Sequence, residues 1–282
     1  MKKKLFYAFM FISVTFLSIT GCRKDRDEEK SPEVVTTEDD ATVDLMFDAV
    51  FMEVEEATSF MEDALYGGIR KSAAIDTCKV ITVSTPGDTI HWPKTITIDF
   101  GDGCTGLNGR VRQGKIIIVV SNPRLSQSFS RTVTFENFSI DGFKVEGIKT
   151  ITRAGMNNEG NPLLTVSLVN GKVTSPEGKS VTRAFTRTRE WTVGYDTPRL
   201  RLDDEYLITG TASGTDRNGI QYSREIIDPL HVKNSCLWIL SGTVKTTKTG
   251  KPEAILDYGD DVCDRIATVT SGEKTFTITL RR

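Results

Sequence analysis

Two cysteine-bracketed stretches constrain the fold of this chain more than any other feature. Residues 78–104 read CKVITVSTPGDTIHWPKTITIDFGDGC, and residues 236–263 read CLWILSGTVKTTKTGKPEAILDYGDDVC. Each leaves a cysteine on a β-branched run, crosses a turn rich in Gly, Pro and Thr, and returns on a second run. That run ends in Asp-aromatic-Gly-Asp just before another cysteine. The pattern predicts a β-hairpin closed at its open end, and the likeness of the two stretches predicts an internal repeat. Four cysteines allow three pairings. The hairpins select Cys78 with Cys104 and Cys236 with Cys263, because each pair meets as its own strands zip together.

Between and beyond these hairpins, apolar residues alternate with threonine. Ile96, Ile98 and Phe100 share one strand face, as do Leu164, Val166 and Leu168, and Phe276, Ile278 and Leu280. Turn signals recur at Asn108-Gly109, Asp141-Gly142, Asn157 to Asn161, Asn170-Gly171, Glu177-Gly178, Asn218-Gly219 and Ser271-Gly272. The expected fold is mainly β: one elongated, sandwich-like antiparallel domain over residues 72–282, with about a dozen hairpin-connected strands. No long Pro/Gly/Ser linker divides it.

A single helix is expected over residues 37–68. Val43, Phe47, Val50, Phe51, Val54, Ala57 and Met61 recur at helical spacing, with Asp44, Asp48, Glu55, Glu56 and Glu62 largely off that face. Thr37 and Asp40 suggest a capping box, and Gly67-Gly68 a stop.

The first residues are a targeting segment. Lys2, Lys3 and Lys4 precede the apolar run Leu5 to Leu17, then Ile19-Thr20-Gly21-Cys22. This is the layout of a secretory signal over residues 1–21, too short for a spanning helix. Ile-Thr-Gly-Cys resembles the lipobox of bacterial lipoproteins. The resemblance implies cleavage before Cys22, acylation of that residue, and a membrane as partner. Residues 22–36 are expected to form a charged tether. Its Arg23 to Glu29 run resembles the export signal of Bacteroidetes surface lipoproteins, and with the paired GDGC-type hairpins it implies an outer-membrane lipoprotein displayed on the cell surface. Export also suits persistent disulfides.

Loss of the three signal lysines from 36 basic residues leaves 33 against 38 acidic ones. That balance argues against a nucleic-acid partner. Gly101 to Gly106 matches G-x-G-x-x-G but runs into a turn and a strand, not the helix N-terminus that a dinucleotide needs. With only His91 and His231 present, and no G-x-S-x-G or H-E-x-x-H, histidine-based catalysis has little support.

Three candidate sites follow. Asp257, Asp260, Asp261 and Asp264 could converge on calcium, as in a calcium-stabilised adhesin, although Asx turns explain the same aspartates. Asp203, Asp204 and Glu205 could supply the acid of a carboxylate-dependent polysaccharide hydrolase. Trp191 with Arg187 and Arg189, if turned outward, would form a surface for a glycan or protein ligand. The leading expectation is a binding or scaffolding module, with no catalytic residue and no cofactor other than calcium.

Overall fold

The computed structural model describes residues 32–65, 78–84, 91–106, 109–197 and 200–280. The expected signal, Cys22, residues 23–31 of the expected tether and Gly67-Gly68 lie outside them, whereas residues 32–36, also expected in the tether, are helical.

Among the described residues a helix, α1 (Pro32–Leu65), precedes fourteen strands. The first five are β1 (Val80–Ser84), β2 (Lys94–Asp99), β3 (Cys104–Thr105), β4 (Val111–Val120) and β5 (Ser130–Ile140). The long central strands are β6 (Phe143–Met156), β7 (Pro162–Thr174), β8 (Ser180–Val193), β9 (Glu205–Thr215) and β10 (Gln221–Lys233). The chain ends in β11 (Ile239–Lys248), β12 (Ala254–Asp260), β13 (Ile266–Ser271) and β14 (Lys274–Thr279). All form one antiparallel sheet in sequence order, with the short β3 paired to β4 off the main path. β1 and β14 do not pair, so the sheet stays open.

The local reasons are those expected of a meander. At the β5–β6 corner Asp141 (φ 51) and Gly142 (φ 80) both take left-handed conformations between Ile140 and Phe143, which face each other. Two positive φ values in a two-residue loop match the twist of the strands on either side. Asn170-Gly171 behaves differently from the sequence expectation. β7 runs straight through it, and the register merely slips between Leu168 and Gly171 against β8. The disulfides Cys78–Cys104 and Cys236–Cys263 close the β1/β2 and β11/β12 hairpins, with Cα atoms 5.3 and 5.9 Å apart. On the chain-entropy estimate each loop closure stabilises by about 3–4 kcal/mol.

The layer packed against the sheet is α1, so the sandwich-like domain expected from the sequence is one open sheet with a helix on its inner face. The backbone of α1 runs closest to β2 near one edge and to β12 and β13 near the other, so the sheet curls around it. The helix starts at Pro32, five residues before Thr37, which leaves the suggested capping box inside it. Between Thr42 and Glu62 only Met52 is exposed. Val50, Val54, Ala57 and Met61 are fully enclosed, and Phe47 and Phe51 meet Phe185 and Tyr206 edge-on.

This enclosure corrects the expectation that the acidic residues of α1 face water. Asp44, Glu53 and Glu55 are buried. A helix wrapped on several sides has little solvent face to give them, so the sheet and its connecting segments meet them with long cationic side chains.

Candidate functional site

The interior around the helix holds a set of cation-to-carboxylate contacts, made by the inner face of the sheet and by the segments that join its strands. The Asp44 carboxylate accepts from Arg183 and Arg187 at 2.6 Å each and pairs with Arg224. Glu55 takes Arg131, Arg201 at 2.9 Å and Arg124 at 3.6 Å. Glu53 takes Lys79 and Arg112, both at 2.9 Å, and Asp48 takes Arg189 at 2.6 Å. Burial alone would raise the carboxyl pKa of Asp44, but Arg183, Arg224 and Arg187 outweigh it and hold that group far below the usual range. Glu55 is likewise pushed up by burial and pulled well down by Arg131, Arg124 and Arg201.

Lys149 has a different partner. Its Nζ donates to the carbonyl of Phe47 at 2.8 Å, and burial, aided by nearby Arg189, lowers its pKa to about 7. From about pH 7 up to the ordinary lysine value of 10.5 the unfolded chain therefore carries the extra proton. Stability should rise with pH across that window. Lys149→Met is expected to abolish this alkaline rise and to stabilise the protein at and below neutral pH. Urea melts at a series of pH values would check it, and an unchanged slope in the variant would refute the assignment.

Trp191, Arg187 and Arg189 belong to this interior, and the outward ligand surface suggested for them is corrected here. All three are buried. Val181, Arg183, Phe185, Arg187, Arg189 and Trp191 alternate along β8, so they share the inward face. Trp191 stacks on Tyr206, lies under the Arg124 guanidinium at 4.1 Å, and donates from Nε1 to Asp204 at 3.1 Å.

The carboxylates of residues 203–205 diverge. Asp203 accepts from Thr197 at 2.6 Å. Asp204 is buried, and its second oxygen accepts from Arg124, Tyr206 and Asn234. Burial raises its pKa to about 6 against the pull of Arg124. Glu205 accepts from Lys233 at 2.7 Å and meets His231 Nε2 at 3.0 Å. This arrangement offers no acid and base facing each other across a cleft.

The four aspartates of the second hairpin are all exposed and do not converge. Asp257 accepts from the Gly259 amide at 2.9 Å, as Asp99 does from Gly101 at 2.9 Å in the first hairpin, and Asp264 accepts from Ile266 at 2.7 Å. These are the Asx turns that the Asp-aromatic-Gly-Asp signature allows. Asp261 instead meets His231 Nδ1 at 2.8 Å and accepts from Ser241. Both ring nitrogens of His231 are thus occupied. Partial burial opposes its protonation, but Asp261 and Glu205 raise its pKa above the usual value, which makes it a clamp and a poor base. Among the described residues no three His, Cys, Asp or Glu side chains gather as a metal site.

The outer face holds what the sequence reading missed. An open trough of about 720 Å³ crosses β7 to β11. One row of facing residues runs Ser167, Thr186, Thr211, Glu225 and Lys245 across those five strands. Beside it a second row runs Ala184, Ser213, Ser223 and Thr247. The side chains are small and mostly hydroxylic, and the two charges pair at 3.3 Å. Alternating threonines were the available signal, but which of them stand side by side depends on the register between strands.

No family model matches this chain, and no match to it was found among the curated proteins or the solved structures.

Proposed function

We propose that this protein is a lipid-anchored binding module of the outer membrane, displayed at the cell surface, that holds a glycan or protein ligand on the outer face of its sheet. The observation that carries this reading is the trough across β7 to β11. The inward cations and carboxylates hold the helix, whereas the trough is an open concavity whose polar side chains face solvent. The basic, apolar and Gly-Cys22 leader supports the anchor, and the two disulfides suit an oxidising compartment.

A sheet filled by a helix that is ion-paired along its length makes a rigid display surface, on which a site needs little ordering at the moment of binding. The carboxylates at 203–205 are engaged separately, so binding is a better reading than hydrolysis.

Protease shaving of intact cells tests the display. The protein is expected to be lost while a periplasmic control stays intact. Protection until the cells are lysed would refute surface display, and a Cys22→Ala chain that still fractionates with membranes would refute the anchor.

A further inference from the structure

We propose that the trough takes a neutral, extended glycan lying across the strands, one sugar to each strand; this rests on reading the outer face as the binding face. Spacing is the first argument. Neighbouring strands lie about 4.8 Å apart, close to the advance of one pyranose ring in an extended chain. A glycan laid along the row Ser167, Thr186, Thr211 therefore meets a fresh hydroxyl at every sugar. Each such hydroxyl both donates and accepts, which matches sugar hydroxyls that do the same.

Charge is the second argument. Glu225 and Lys245, the two charged residues on the outward side of the trough, face each other in register and form an ion pair, while Arg224, which also borders it, is buried and paired with Asp44. A polyanion finds no surplus cation there, and a polycation no surplus carboxylate. A protein partner fits poorly for a third reason: the outward lining holds no aromatic or arginine anchor, since Phe185 and Arg224 point inward beneath it. Depth comes from Ala184, Ser213 and Ser223, whose short side chains leave room for rings above them. No aromatic platform strengthens any single subsite. Affinity must build up over several sugars and level off once the chain spans the five strands.

The test uses the mature full-length protein in detergent and calorimetric titration with β-1,4-linked gluco-, manno- and xylo-oligosaccharides of increasing length. Polygalacturonate and heparin serve as anionic probes. The expected result is binding of at least one neutral series, tightening with length to a plateau, little response to the anions, and loss of binding in Ser213→Tyr. Ser213 is exposed, so that variant should keep the wild-type melting temperature. Tight binding of either anion, or neutral binding that Ser213→Tyr leaves intact, would overturn the glycan assignment. Should all sugars fail while capture of a protein from the cell's surroundings is lost in Ser213→Tyr, the face would stand as a binding face and the glycan would fall. No binding by either route, with Ser213→Tyr indistinguishable from wild type, would sink both.

Discussion

Asp44→Asn is expected to lower the unfolding free energy by about 3–5 kcal/mol, the range for removing one partner of a buried ion pair. Three guanidiniums converge on that carboxylate, and the amide would keep its shape while leaving Arg183, Arg187 and Arg224 without their counter-charge. Urea denaturation should show a large drop in midpoint at constant slope. Glu56→Gln provides the contrast. Glu56 pairs with Lys79 at 2.8 Å, but its side chain is 40% exposed, so its loss should cost less than about 1 kcal/mol. Equal effects from the two variants would contradict the picture of a charged, dry seam.

The pH dependence follows from the same groups. Asp44 and Glu55 have folded pKa values far below those of the unfolded chain, so their stabilisation is complete above the ordinary carboxylate range. It is lost as pH falls from about 4 toward the folded values. Asp204 has the opposite sign. Its raised pKa means that its contribution is greatest below about pH 4 and lost as pH rises through about 6.

Trp191→Ala should cost a similar amount, about 3–5 kcal/mol. The indole is among the largest fully enclosed side chains and joins three neighbours: the face of Tyr206, the edge of Tyr195 at 5.3 Å, and the Arg124 guanidinium. Trp191→Phe separates packing from polarity. It keeps much of the ring but removes the Nε1 donor to Asp204, and about 1–3 kcal/mol is expected for that unmet acceptor. Calorimetry of both variants should rank them in that order. A phenylalanine variant as damaged as the alanine one would mean that the hydrogen bond outweighs the packing.

Much of the scaffold was legible in the sequence because its cues are local. Period-two alternation marks strands wherever one face is buried, and Asp141-Gly142, Glu177-Gly178, Asn218-Gly219 and Ser271-Gly272 mark hairpins because few residues accept positive φ. The cysteine pairing could be read because each pair brackets one hairpin. The direction of the charges could not be read with the usual rule that ions face water. β8 nevertheless held the clue: Arg183, Phe185, Arg187, Arg189 and Trp191 all fall on one parity. A strand face carrying both aromatics must be the buried one, and its arginines are buried with it. The trough lay beyond sequence reading for a different reason. Ser167, Thr186, Thr211 and Glu225 belong to four strands, and only their register sets them beside one another.

The helix stands at the front of the chain while its enclosure is spread to the far end, and this sets an order of events during synthesis. Asp44 leaves the ribosome 180 residues ahead of Arg224, and β12 and β13, which wall the helix on one side, follow later still. Glu53 can meet Lys79 and Arg112 early, whereas Asp44 must wait for β8 and β10. A growing chain carries a half-clothed helix through most of its synthesis, and domains complete themselves only as their last elements emerge. The interval before β10 to β13 arrive is therefore when the nascent protein is most open to proteases and to association with its own copies.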